Sequence, residues 1–132
     1  MFETEIQKIF EGTADVIGVY IFGSYAGGKQ RTGSDVDIAL LFESQDRSRV
    51  AGLLENYMVE LSRLLRKDVH LVAMNFAGEV LLKQILSKGR CLVMNNPRKM
   101  SLFRMSAVSR IFDFEYHRRK MQAGLIRKVM EG

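Results

Sequence analysis

Two pairs of residues in the first third of the chain have the types and spacing of a phosphate and metal site. Gly23-Ser24 directly follows the apolar run VIGVYIF, and Asp35 and Asp37 open the apolar run DVDIALLF. A glycine at a strand end lets the backbone approach a ligand with no side chain in the way. If Ser24 opens a helical turn, its hydroxyl and the following amides point at one spot, which suits a phosphate.

The two carboxylates predict a cation beside that phosphate. Asp35 and Asp37 are two positions apart, so on a strand their side chains project from the same face. Carboxylates held this close repel each other unless a cation lies between them. Mg²⁺ fits best, because proteins hold it with one or two carboxylates together with substrate phosphates. A Gly-Ser pair alone is usually a turn and an Asp-x-Asp alone a solvated strand end, so the prediction depends on the two pairs together.

Hydrophobic periodicity predicts alternating helices and strands around these pairs, which is the α/β (α+β) class. The predicted helices cover residues 2–10, 50–65 and 77–88, and the predicted strands cover residues 16–22, 35–42, 68–74 and 91–94. Pro97 marks the one internal boundary. It divides the chain into a core of residues 1–97 and a basic, amphipathic helical extension of residues 98–132, with Gly124 as a candidate break in that extension.

Length and composition limit the remaining possibilities. The chain has 132 residues, 47% of them hydrophobic, which is enough for one globular domain with its own core. It contains no apolar run long enough for a membrane helix, and its first ten residues do not read as a signal peptide, so we expect a cytoplasmic protein. Cys91 lies in the run RCLVM, where we expect a buried strand residue and not a nucleophile.

The positive charge is concentrated in the extension. Residues 98–132 hold nine Lys and Arg against three Asp and Glu, whereas residues 1–97 hold 11 against 12. Aromatic and basic residues alternate between positions 109 and 120, which could suit nucleic acid. An amphipathic helix with no room in a small core more often docks on another protein, so we favour a protein partner and do not expect direct nucleic-acid binding.

The spacing of Gly23-Ser24, ten residues, then Asp35-x-Asp37 resembles the signature of the nucleotidyltransferase superfamily related to DNA polymerase β. The short length and the stretch after the third strand, MNFAGEVLLKQILSKGRCLVMNNPRK, resemble the minimal nucleotidyltransferases, the MntA-type antitoxins of HEPN/MNT toxin–antitoxin pairs. The resemblance implies a small mixed sheet flanked by helices, with a C-terminal helical extension. It also implies transfer of AMP from ATP to a hydroxyl, usually a tyrosine, of a HEPN ribonuclease toxin in a hetero-oligomer.

The resemblance also implies roles for individual residues. Gly23 and Ser24 would hold the β and γ phosphates, and Asp35 and Asp37 would bind two Mg²⁺ ions. Three loop residues could add contacts to the nucleotide: Lys29, Arg31 and Ser34. These ions would stabilise the charge that develops on the α-phosphorus and on the leaving pyrophosphate.

The third acidic position departs from the family pattern. The family places a carboxylate on the strand after the second helix, where this chain has His70, and Asp68 lies two residues earlier. The two share a face of that strand, so Asp68 could be the missing metal ligand or general base, or His70 could accept the proton. A half-exposed histidine with no role is the third possibility. The departure keeps open an antitoxin that is non-catalytic or weakly catalytic and neutralises its partner by binding. A separate alternative is a nucleotidyltransferase that acts on a small molecule such as an aminoglycoside.

Overall fold

We describe residues 2–26 and 35–132 of a computed structural model of the chain. Four α-helices and four β-strands alternate in it: α1 (Phe2–Phe10), β1 (Val16–Phe22), β2 (Val36–Phe42), α2 (Arg47–Leu65), β3 (Val69–Ala73), α3 (Glu79–Lys88), β4 (Arg90–Met94) and α4 (Pro97–Glu131). Short 3₁₀ turns follow β1 at Gly23–Tyr25 and β3 at Met74–Phe76. The predicted order and type of the elements are confirmed, with boundaries that differ by at most three residues.

The strands form one mixed sheet in the order β3-β2-β1-β4. β1 pairs antiparallel with β2 and with β4, whereas β2 and β3 are parallel. The parallel pair is joined by α2, as expected because a parallel connection requires a crossover element. This mixed sheet confirms the predicted fold class.

The core has one layer on each face of the sheet. All seven residues of β1 are buried, as are six of the seven in β2, so these central strands are covered on both sides. On one face they pack with Ile6 and Phe10 of α1 and with α2. On the other face they pack with α3 and with the first half of α4, through Met100, Ala107 and Ile111. The central strands are thus held rigidly, which fixes the positions of residues at their ends.

Asn95 joins the end of β4 to the turn that precedes β1. Its Nδ2 donates to the carbonyls of Phe10, Thr13 and Val16 at 2.8, 3.2 and 2.9 Å, and its Oδ1 accepts from the amide of Gly12 at 3.0 Å. Gly12 lies in the left-handed region at φ +74°. One side chain thus provides hydrogen-bond partners for four backbone groups in and beside a turn that belongs to no helix or strand.

Two sequence expectations are wrong. α4 continues through Gly124 to Glu131 without a break, because a single glycine costs a helix only about 1 kcal/mol and good helix formers surround it. Cys91 is exposed, since β4 lies at the edge of the sheet and buries only Val93. Within residues 2–26 and 35–132, no helix has the length and apolar character needed to cross a membrane.

Candidate active site

Asp37 lies at the centre of the candidate site, on the second residue of β2. The strand pairing places it between two neighbours: Phe22, the last residue of β1, on one side, and His70, the second residue of β3, on the other. Its side chain is 26% exposed, so it is held by the sheet and still open to solvent. Such a carboxylate can bind a ligand without a large rearrangement.

Gly23 brings the backbone against this carboxylate. It directly follows β1 and has φ +72°, a conformation that residues with a Cβ rarely adopt. A Cβ built on Gly23 would lie 2.2 Å from Oδ2 of Asp37, far inside van der Waals contact. The glycine predicted for close approach is therefore required here for two reasons, its conformation and the space beside it. Ser24 follows in the 3₁₀ turn and is partly exposed.

His70 contacts the other oxygen of Asp37. Its Nδ1 lies 3.2 Å from Oδ1 of Asp37, within hydrogen-bonding distance, and its side chain is 63% exposed. The contact follows from the parallel register, because directly paired residues of neighbouring strands project from the same face. Asp37 thus has the Gly23 turn on one side and an imidazole on the other.

Asp35 and Asp68 lie at the same end of the sheet but make no comparable contact. Each directly precedes its strand, and the first pair of the parallel ladder is Val36 with Val69. The amide of Val36 donates to the carbonyl of Asp68 at 3.0 Å, so the backbones are joined there, while both carboxylates are exposed. In the described ranges no three His, Cys, Asp or Glu side chains come together as a metal-binding group. The predicted ligands Asp35, Asp37 and Asp68 are therefore neighbours along the sheet edge and not a closed cluster.

Three predicted nucleotide-binding residues, Lys29, Arg31 and Ser34, lie outside the described residues. The sequence interpretation missed one basic residue, Lys67, which lies close to the Gly23–Tyr25 turn. Nζ of Lys67 is 5.9 Å from the ring centroid of Tyr25, the residue after Ser24, and 5.7 Å from that of Phe2. In the sequence, Lys67 is marked by its position next to Asp68. That position indicates a place near the site only once β3 is known to pair with β2.

The donor atoms at this end of the sheet fit Mg²⁺. Asp35 and Asp37 offer hard carboxylate oxygens at one end of the sheet, and the missing side chain of Gly23 lets the Asp37 carboxylate lie directly against the backbone of the turn. His70 suits magnesium poorly as a ligand, but a neutral imidazole can hydrogen-bond to a carboxylate or accept a proton. The arrangement can therefore bind a metal–polyphosphate complex with a proton acceptor beside it.

Comparison with known proteins agrees with this geometry. The family model for Polymerase beta, Nucleotidyltransferase matches residues 4–98. The chain is 35% identical over 79 residues to the protein adenylyltransferase MntA of Shewanella oneidensis, an alignment that covers 56% of this chain and about half (51%) of that relative.

Among solved structures, a chain of a toxin–antitoxin crystal structure with AMP-PNP superposes with a TM-score of 0.73 at 27% identity, covering 98% of this chain and 99% of that one. A chain of the complex between a tri-AMPylated Shewanella oneidensis HEPN toxin and its MNT antitoxin superposes with a TM-score of 0.66 at 25% identity, covering 98% and 96%. The resemblance drawn from the signature is confirmed. Since the family model covers well over half of its length, this chain belongs to the polymerase beta nucleotidyltransferase family.

Proposed function

We propose that this chain is a protein adenylyltransferase that transfers AMP from ATP to a hydroxyl, that of a tyrosine, on a cognate HEPN-domain toxin and thereby acts as its antitoxin. The observation that carries the proposal is the carboxylate of Asp37, placed between the Gly23 turn and His70. The similarity to an adenylyltransferase and to chains of toxin–antitoxin complexes supports the choice of nucleotide and of acceptor.

The chain's own residues position the triphosphate. Gly23 and Ser24 approach the β and γ phosphates from the end of β1 with the backbone amides of their turn, and the absence of a Cβ at Gly23 lets the Asp37 carboxylate lie directly beside that turn. Lys29, Arg31 and Ser34 follow in the sequence and add cationic or hydroxyl contacts in this proposal. Asp35 and Asp37 would hold two Mg²⁺ ions, which when bound neutralise charge on the triphosphate and the leaving pyrophosphate.

The transfer balances as a substitution at the α-phosphorus. The acceptor oxygen forms the new bond to the α-phosphorus, the bond from that phosphorus to the bridging oxygen of the β phosphate breaks, and pyrophosphate leaves. The proton of the acceptor hydroxyl moves to a base. His70 is our first candidate, because its imidazole lies against Asp37 and is largely exposed toward an incoming acceptor. Asp68, on the same face of the strand, is the second.

Intact mass of the HEPN-domain protein co-expressed with this chain tests the proposal. We expect added AMP units with the unaltered chain and none with Asp35→Asn or Asp37→Asn, while Glu55→Gln, which removes an exposed carboxylate from α2, leaves the transfer unchanged. A partner that is inhibited yet unmodified would refute the catalytic part and identify a binding antitoxin. Turnover of ATP with aminoglycosides in the absence of protein modification would refute the proposed acceptor.

The identity of the base is tested separately. Removing a general base lowers the rate about 10²–10⁴-fold, so we expect a loss of that size for His70→Ala and a much smaller one for Asp68→Asn. The reverse order would assign the base to Asp68. Nucleotide affinity, measured with an ATP analogue and Mg²⁺, should remain within a few-fold in the variant that has lost the base.

A further inference from the structure

The last half of α4 extends beyond the folded body. The helix is 35 residues long, and its buried residues, Met100, Ala107 and Ile111, all lie in its first half. Near the end of the packed half, Glu115 forms a 2.8 Å ion pair with Lys83 of α3. Residues 116–131 are all exposed, and at 1.5 Å per residue they form an arm about 24 Å long.

This arm is apolar on two opposite faces. An inner face continues the line of the buried α4 residues at helical spacing, with the large apolar side chains Phe114, Met121, Leu125 and Val129. An outer face lies opposite and continues a line of exposed apolar residues from the first half of the helix, Met105, Val108, Phe112, Tyr116, Ile126 and Met130. Tyr116 and Leu125 are nine residues apart and therefore on opposite sides of the helix, and they are 57% and 62% exposed, so both faces are open to solvent in this chain.

Apolar residues on both faces favour burial on both sides. A surface helix needs one apolar stripe, whereas a helix that is apolar around most of its circumference is stable when it is enclosed. Contact with a flat surface would cover the inner or the outer face and leave the other in water. The arm therefore fits a cleft with two apolar walls.

The charge of the arm indicates which kind of protein surface complements it. Residues 116–131 contain five Lys and Arg and one carboxylate, Glu131, a net charge of +4. A second copy of this chain would bring another +4 into the same contact, and a two-fold contact would cover the same single face on each helix. A partner whose cleft has carboxylates along its rim complements this charge.

We infer that residues 116–131 are a docking arm, which inserts as a helix into an apolar cleft with an acidic rim on the partner protein. The inference rests on the proposed function for the identity of that partner, the cognate HEPN-domain toxin. Insertion buries Tyr116 and Leu125 at the same time, against opposite walls. The cationic side chains between the two faces, Lys120, Arg127 and Lys128, meet the rim and steer association.

The test compares one glutamate on each face with a matched control. Leu125→Glu alters the inner face and Tyr116→Glu the outer face, whereas Gln84→Glu adds the same charge at an exposed position of α3, outside the arm. The binding of each full-length variant to the HEPN-domain toxin is measured by calorimetry, and thermal unfolding verifies that the fold is retained. Each face variant removes one large apolar side chain from the contact, so we expect binding to weaken at least tenfold for both. The control should stay within about threefold.

Three results would overturn the inference. Binding unaffected by both face variants would exclude the arm, and binding affected by one of them alone would replace the cleft with a flat surface. A dimer of the chain in analytical ultracentrifugation, dissociated by the same variants, would assign the arm to a second copy. Asp37→Asn separates this inference from the proposed function, because a chain that cannot transfer AMP should still bind through the arm. Binding through the arm without AMP transfer by the unaltered chain would overturn the proposed function alone.

Discussion

Replacing Gly23 with alanine tests the central geometry of the candidate site. The new Cβ would lie 2.2 Å from Oδ2, 3.1 Å from Cγ and 3.3 Å from Cβ of Asp37, so the carboxylate must move by about an ångström to restore contact distance. The neighbour is the end of a short side chain, so displacing it costs little stability. Its displacement removes the carboxylate from the position in which Gly23 and His70 hold it.

The magnitudes follow from two separate effects. Alanine in the left-handed region costs about 1–2 kcal/mol of unfolding free energy. A misplacement of about 1 Å at a reacting centre can cost about 10²-fold in rate. We therefore expect Gly23→Ala to lower the rate of AMP transfer about a hundredfold while the free energy of unfolding falls by only about 1–2 kcal/mol.

Gly12→Ala supplies a matched control. Gly12 has φ +74°, close to the +72° of Gly23, but a Cβ built on it has no atom within 4 Å. It should therefore show a similar loss of stability in urea denaturation with an unchanged rate. Mass-spectrometric initial rates of AMP transfer to the toxin are compared for both variants at saturating ATP. Equal rates for the two alanine variants would refute the argument that the Gly23 turn positions Asp37.

Three further predictions concern stability and titration. Asn95→Ala removes the side-chain hydrogen bonds that close the turn before β1, in which the two Nδ2 hydrogens are shared among three carbonyls and Oδ1 accepts one amide. This amounts to three hydrogen bonds, and at about 0.5–1.5 kcal/mol each we expect a loss of about 1.5–4.5 kcal/mol in urea denaturation. The hydrogen bond from Lys83 lowers the pKa of Glu115 below its ordinary 4.5. The contribution of this carboxylate to stability is therefore present above pH 4.5 and disappears as the pH falls through the lowered pKa. Lys83→Gln should return the pKa of Glu115 toward 4.5 in an NMR titration. Burial raises the pKa of Tyr20 above its ordinary 10.0, so the unfolded chain ionises first and the free energy of unfolding should fall as the pH rises above about 10, as urea denaturation followed by circular dichroism can measure.

The sequence predicted the elements well and their lateral contacts poorly. Apolar runs are local patterns, so β1 and β2 could be read directly from the sequence. The contact between His70 and Asp37 depends on the parallel register of β2 and β3, which no local pattern specifies. The same pairing gives Lys67 its place beside the site.

The strand β1 connects the two features on which the proposals depend. At its end, Gly23 approaches Asp37 of the candidate site. In its middle, Gly18 makes room for Met100 of α4, since a Cβ there would lie 2.1 Å from Cε of Met100, and the hydroxyl of Tyr20 accepts a 2.7 Å hydrogen bond from Nε of Arg104.

The anchored half of α4 is thus fixed to the strand that carries the Gly23 turn, and the continuous helix transmits that orientation to residues 116–131. Packed interiors do not deform continuously, so a partner bound to the arm is held at a defined orientation relative to Asp37. An acceptor hydroxyl on such a partner reacts as part of one complex, which removes much of the entropy cost of bringing two proteins together. A helix too long for the core would in this way contribute to catalysis without touching the nucleotide.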